Sequence, residues 1–209
     1  TTYNNLRTGF ILILWGFFQK LFIADRLALY VDPVFNNLED FNGTRLWVAS
    51  YFFAFQIYCD FAGYTNIARG CAKVLGINLS INFKQPYSAS SISEFWRKWH
   101  ITLSSWFKDY VYIPLGGNKV KTPKYFINLM IVFLVSGLWH GANWSFVIWG
   151  GIHGSLLVLE VIKRKYFNFK TPRVINVIIT FQLVVFAWVF FRSDDFSSAI
   201  LFFENMFHL

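Results

Sequence analysis

Four histidines are the residues of this chain best suited to proton chemistry: His100, His140, His153 and His208. An imidazole titrates near neutrality and can take a proton from a hydroxyl without an extreme environment. His140 lies in Ser136-Gly137-Leu138-Trp139-His140-Gly141-Ala142-Asn143-Trp144, between two apolar runs with no basic residue nearby. The flanking glycines allow a helix to break and a backbone to approach a ligand. This spacing fits a general base, and equally a structural imidazole bonded to a carbonyl at a helix break. His100 has Trp96 and Ser104 four residues to either side. That position suits a side chain facing a cavity, or an interfacial histidine among lipid headgroups. His153 follows Trp149-Gly150-Gly151 and suits a hydrogen bond to a neighbouring helix. His208 is uninformative.

Other chemistries find little support. His140 and His153 are thirteen positions apart with no Glu or Cys at ligand spacing, so no metal site is expected. Leu115-Gly116-Gly117-Asn118 lacks the Gly-Lys-Ser/Thr ending of a phosphate loop, and no Gly-x-Ser-x-Gly elbow occurs. Gln56, Asp60 and Tyr64 form an i, i+4, i+8 polar stripe on an apolar run. An acid there must be paired, protonated or water-facing. A tie to Lys20 or Arg69 and a proton path are equal readings of it.

The composition fixes the setting. Of 209 residues, 56% are hydrophobic, 22% aromatic and only 14% charged. That is too little charge to cover a soluble surface, and too much apolar content for disorder. The surplus of Trp and Tyr suits membrane interfaces. The net charge of +8 fits cytoplasmic loops and anionic headgroups better than nucleic acid, and no nucleic-acid partner is expected. Cys59 and Cys71 make no disulfide framework, and Cys59 reads as packing. The chain begins Thr1-Thr2, without Met or a signal peptide, and reads as a piece of a larger protein.

Five segments are candidates to span: A, about 9–30; B, about 46–64; C, about 125–139; D, about 144–162; and E, about 174–191. B, D and E have the length and apolar content of a span, near 20 residues. C is short and is expected to end inside the protein at Ser136-Gly137. A is polar on one face, with Lys20 and Asp25-Arg26. The B–C stretch is basic (Arg69, Lys73, Lys84, Arg97, Lys98, Lys108, Lys119, Lys121, Lys124), as is the D–E loop (Lys163, Arg164, Lys165, Lys170, Arg173), whereas C–D carries no cation. The positive-inside rule then places B–C and D–E in the cytoplasm. The expected fold is an all-α polytopic bundle with about five spanning or re-entrant helices plus interfacial amphipathic helices.

The clearest interfacial helix follows Pro86. Ser91-x-x-Glu94 reads as a capping box. On a helical wheel Phe95, Trp96, Trp99, Leu103, Trp106 and Phe107 share one arc, opposite Glu94, Arg97, Lys98, Thr102, Ser105, Lys108 and Asp109. One basic amphipathic helix lying in the interface is expected, ending by Pro114 and the Gly116-Gly117 turn. The tail from Ser193 repeats the pattern weakly, with Ser193 as cap and Asp194 and Asp195 in a first turn.

These motifs carry a resemblance. Asn82-Phe83-Lys84-Gln85-Pro86-Tyr87 and the run 94–118, opening Glu94-Phe95-Trp96-Arg97-Lys98-Trp99-His100 and closing Pro114-Leu115-Gly116-Gly117-Asn118, resemble the signature stretch of the membrane-bound O-acyltransferases. Trp139-His140-Gly141 is similar to that family's catalytic-histidine motif. Asp60-Phe61-Ala62-Gly63-Tyr64 and Trp188-Val189-Phe190-Phe191-Arg192 look like its bacterial alginate O-acetyltransferase branch. Two departures stand out. Family members are about twice this long, so their N-terminal helices are expected to be missing from a single membrane-embedded domain over 1–209. Asn66 also stands where an acidic residue is expected.

The resemblance implies transfer of an acyl group, acetyl first of all, from a thioester donor to a hydroxyl of an extracytoplasmic polymer such as alginate. It assigns the catalytic histidine to His140 and the second signature histidine to His100. Trp96, Arg97, Lys98, Trp99, Ser104 and Lys108, with Trp139 and Asn143 beside His140, are the expected donor- and substrate-binding residues. Acetyl-CoA or another acyl thioester would be a substrate, with no resident cofactor. The expected partners are the lipid bilayer and periplasmic or extracellular acetylation proteins, and the expected location is the cell membrane, multi-pass. The competing classes are a proton-coupled transporter or channel, using Lys20, Asp60 and the histidines as a relay, and a non-catalytic membrane scaffold.

Overall fold

The computed structural model describes residues 2–167 and 171–208; Lys170, one of the D–E cations, lies outside them. The architecture is all-α, with no strand among the described residues. Its helices are α1 (Tyr3–Phe17), α2 (Asp25–Asn36), α3 (Thr44–Val74), α4 (Ile92–Lys98), α5 (Ile101–Phe107), α6 (Thr122–His140), α7 (Trp144–Tyr166), α8 (Arg173–Arg192) and α9 (Phe196–Phe207). A π-helical stretch, Phe18–Ala24, joins α1 to α2, and another, Lys108–Tyr112, extends α5. The chain divides into two compact units, residues 1–82 with 201–209, and residues 83–200.

Four helical stretches are long and apolar enough to cross a membrane: Tyr3–Asn36, Thr122–His140, Trp144–Tyr166 and Arg173–Arg192. The expectation for segment B changes. Its helix α3 is 31 residues long, but Gln56, Asp60, Asn66 and Arg69 dilute its apolar content, and it is not among the four. Segment A gains what B loses, because the π-helical stretch carries α1 into α2 without a break. Segment C also differs from expectation. It runs past Ser136-Gly137 to His140, since Gly137 serves close packing rather than a helix end: a Cβ there would press on the Phe146 backbone of α7. The break falls at Gly141.

In the first unit, α1 and α3 pack antiparallel through two glycine steps. Gly9 lies against Gly70 and Val74, and Gly16 against Gly63 and Ile67. A Cβ at Gly16 would sit 2.6 Å from the Gly63 carbonyl oxygen, so the backbones touch. Small residues of this kind drive helix association where lipid competes for every apolar side chain. Lys20 pairs with Asp25 at 3.0 Å and with Asp60, so the structure contains the Lys20 tie read as one option for Asp60. Asn66 donates to Gln19 and accepts from Arg69. Cys59 is buried and Cys71 exposed, both free. Phe202 of α9 stacks on Phe35 of α2 at 4.6 Å.

The second unit is organised by aromatics. Trp149, Trp188 and Phe95 are each 1% exposed and Trp99 is 4% exposed. Phe95 stacks on Trp99 at 5.6 Å, and Trp149 on Trp188 at 5.9 Å. This core overturns the single amphipathic helix expected between Ser91 and Pro114. The chain breaks at Trp99-His100, and His100 adopts a left-handed backbone (φ 44°). A continuous helix would keep Phe95, Trp99, Trp106 and Phe107 on one arc. Instead Phe95, Trp99 and Phe107 are buried in protein, while Trp106 is 50% and Tyr110 68% exposed. Tertiary packing therefore takes much of the aromatic wall away from the lipid interface. Left-handed backbone is uncommon outside glycine and is held only when the surroundings enforce it.

The caps also differ in detail. Ser91 Oγ accepts from the Glu94 N–H at 3.1 Å, as a capping box requires, but the Glu94 carboxylate reaches back to the N–H and hydroxyl of Ser90. At the tail, Asp195 rather than Ser193 accepts from the Ser198 N–H, while the Ser193 hydroxyl donates to the Val189 carbonyl. The expected Gly116-Gly117 turn is present, with both glycines at positive φ, and Asn128 of α6 donates to the carbonyls of Leu115 and Gly117.

Two outcomes follow for stability. Gly63→Val should cost about 1–3 kcal/mol through overpacking, read as a lower thermal midpoint in detergent, whereas Tyr64→Val on the neighbouring exposed position should change little. The Lys98 ammonium at 2.8 Å, then the Ser90 donors, hold the Glu94 carboxyl at about 2 against an ordinary 4.5. A depressed carboxylate stabilises the fold above its unfolded value and loses that contribution as pH falls towards its folded one. Glu94→Gln should therefore melt below the wild type at neutral pH, with a gap that narrows as pH drops below about 4.5.

Candidate functional site

The second unit contains a cavity of about 290 Å³. One wall is the face of α6 carrying Tyr125, Leu129, Val132, Phe133 and Ser136, spaced by three or four residues so that they align. The antiparallel α7 supplies Leu157, Glu160, Val161 and Arg164. Ser93, Trp96 and Arg97 of α4, Leu103, Ser104 and Phe107 of α5, and Lys108 and Tyr112 close it. The α7 charges fall at the end where α6 begins and α7 finishes, a pairing fixed by Lys165 Nζ donating to Thr122 at 3.1 Å. Arg164 and Glu160 belong to that end, and Ser136 marks the other.

Four of the expected binding residues therefore line one cavity: Trp96, Arg97, Ser104 and Lys108. Of the other four, three have visible packing or hydrogen-bonding work elsewhere and one is exposed. The Lys98 ammonium pairs with Glu94 and donates to Ser88 at 3.0 Å. Trp99 is buried against Phe95 and Trp188. Asn143 accepts from the N–H and hydroxyl of Ser145, capping α7, and its amide donates to the Asp194 carbonyl. Trp139 is 58% exposed at the end of α6.

His140 is the last residue of α6 and is half-buried. It is not among the residues lining the cavity. It stands four residues beyond Ser136, about 6 Å further along the helix axis. Its ring is enclosed edge-to-face by Trp139, Trp149 and Phe191, with centroids at 4.9, 5.2 and 5.0 Å. His100 and His140, forty positions apart in sequence, lie within electrostatic reach of one another. Burial pushes the His100 pKa below the ordinary histidine value, which favours a neutral imidazole. His153 is fully buried and accepts at Nδ1 from the Trp96 indole N–H at 3.3 Å, the interhelical hydrogen bond its position suggested.

Residues that sequence reasoning passed over also line the cavity: Ser93, Tyr112, Tyr125, Ser136, Glu160 and Arg164. Ser136 carried a readable signal, since i−4 from His140 is the same helical face. Glu160 carried none. It accepts from the N–H and hydroxyl of Ser93, 67 residues away in sequence. Burial, and then Tyr125, push the Tyr112 phenol up to about 12, so it remains a neutral donor.

Residues 1–194 match the model of the membrane-bound O-acyltransferase family. The chain is 41% identical to a peptidoglycan O-acetyltransferase of Helicobacter pylori, over 98% of this chain and 39% of that protein. It is 41% identical to a protein of Pseudomonas aeruginosa named "Probable alginate O-acetylase", over 99% of this chain and 39% of the relative. A teichoic acid D-alanyltransferase of Bacillus subtilis is 30% identical over 91% of this chain and 52% of its own length. The chain thus spans about two fifths of the first two curated relatives and half of the third. With its apolar helices, its His140 motif and a family match over nearly its whole length, this chain belongs to the membrane-bound O-acyltransferase family.

Proposed function

We propose that this chain forms the acyl-transfer portion of a multi-pass cell-membrane enzyme, a single functional domain that moves an acyl group from a cytoplasmic thioester donor towards hydroxyls of an extracytoplasmic polysaccharide. Acetyl is the group the peptidoglycan and alginate relatives' names favour, and acetyl-CoA or a comparable thioester is the donor. The observation that carries this reading is the cavity along α6. It is lined by three cations, Arg97, Lys108 and Arg164, and by apolar walls, with Arg164 and Glu160 at one end and Ser136, one turn short of His140, at the other.

The chemistry follows from that order. Arg97, Lys108 and Arg164 attract an anionic donor into the cavity, and the positive-inside rule puts its Arg164 end in the cytoplasm. The apolar walls of Trp96, Leu129, Val132 and Phe133 exclude water from the thioester, which protects it from hydrolysis. His140 takes the proton of the acceptor hydroxyl as its oxygen attacks the thioester carbonyl. The C–S bond breaks, an ester forms, and the leaving thiolate recovers the proton from the imidazolium. General-base help of this kind is worth on the order of 10²–10⁴-fold. Neutral His100 orients a reactant or polarises the carbonyl. Periplasmic or extracellular acetylation proteins would carry the group to the final polymer.

Three measurements test this reading on the intact protein in membranes at matched levels. His140→Ala should lower polymer acylation by at least about 10²-fold; a wild-type rate refutes the general base and favours a scaffold. His100→Asn, which tolerates the left-handed backbone, should leave partial activity or change the apparent donor affinity. Val132→Trp, which crowds the cavity with His140 untouched, should raise the donor KM by more than about tenfold, equivalent to about 1.4 kcal/mol. Solute flux without donor consumption would instead support the transporter class.

A further inference from the structure

A second, smaller pocket lies wholly within the first unit, where the start of α1 meets the end of α3. Its volume is about 120 Å³, and Thr8, Leu12, Arg69, Lys73, Ile77, Asn78 and Leu79 line it. Two of these are cations and none is a carboxylate. Among the described residues neither Arg69 nor Lys73 forms an ion pair. Arg69 holds Asn66 through Nη1 at 3.1 Å, yet its Nε–H is buried with no hydrogen-bond partner among the described residues. Lys73 donates to Asn78 Oδ1 at 2.7 Å, which uses one of its three protons. A buried guanidinium N–H without an acceptor is costly, and two uncompensated cations lining one recess repel each other. An anion held between the two side chains answers the second condition.

We propose that this pocket binds a phosphate group. The Arg69 guanidinium and Lys73 Nζ would donate to its oxygens, and the apolar rim of Leu12, Ile77 and Leu79 would take the carbon skeleton attached to it. A carboxylate would satisfy one cation, whereas a phosphate's oxygens can face both and match the guanidinium geometry. The place in the fold fits. The pocket sits where the apolar helix α1 begins and the long helix α3 ends, at the first cations of the basic B–C stretch, and basic pockets between helices at a membrane surface hold anionic headgroups. The phosphate comes either from an anionic phospholipid or from a soluble phosphate compound. The site shares no residue with the α6 cavity, so its fate is independent of the acyl-transfer reading.

The test separates these sources. The intact protein is reconstituted in nanodiscs of phosphatidylcholine alone, or with phosphatidylglycerol, and lipid retention is read by native mass spectrometry. In parallel, inorganic phosphate is titrated against the detergent-solubilised protein and thermal midpoint is read. Preferential retention of phosphatidylglycerol that falls about fivefold for each of Arg69→Gln and Lys73→Gln, the worth of one cation at a membrane surface, assigns the site to lipid. A phosphate-dependent rise in midpoint, abolished in the double variant, assigns it to a soluble phosphate. Should Arg69→Gln fail to fold, Leu79→Trp provides the second variant: Leu79 is 49% exposed, and an indole there blocks the mouth without touching either cation. Equal retention and equal midpoints for wild type, Lys73→Gln and Leu79→Trp would overturn the proposal.

Discussion

Within the second unit, one buried polar contact constrains everything around the α6 cavity: the Trp96 indole N–H donating to Nδ1 of His153. His153 has no exposed surface, so its Nδ1 cannot exchange this partner for water. Losing the bond would leave polar atoms stranded among Phe95, Phe133, Trp149 and Trp188. The bond therefore pins the short helix α4 to the long helix α7. With α4 pinned, Trp96 becomes a wall of the cavity, and Glu160 of α7 can receive the first turn of α4 through Ser93. A seven-residue helix has little stability of its own. Here its position is set by side chains reaching it from another helix.

The long helices solve a different problem. In lipid, apolar side chains gain little by meeting each other rather than acyl chains, so close backbone approach and shape carry association. Gly16 against Gly63 does this between α1 and α3, and Gly137 against Phe146 between α6 and α7. The second contact matters for chemistry. It keeps α6 helical through Ser136-Gly137 and carries the helical face one further turn, so that His140 follows Ser136 in register.

Charge is distributed by the same logic. Lys98 and Glu94 are spent on each other beside the core, and Lys20 on two acids. Arg97, Lys108 and Arg164 stay at a cavity, and Arg69 and Lys73 at a small pocket. Neighbouring cations such as Arg97 and Lys98 thus differ in role because successive residues on a helix point about 100° apart.

The sequence alone determined the membrane setting, the helical class and the approximate places of the apolar helices, because composition and apolar run length follow directly from the solvent a segment must match. It also singled out His140 and His100 by type and flanking glycine or aromatic pattern. Only the tertiary structure decided that the helix after Ser91 breaks at His100, because burial of Phe95, Trp99 and Phe107 overrides a local wheel. It alone decided that Lys98, Trp99 and Asn143 have core and capping contacts while Ser136, Tyr112 and Glu160 face the cavity. Those roles depend on contacts between residues far apart in the chain, and no periodicity within one segment encodes which distant side chain will meet it.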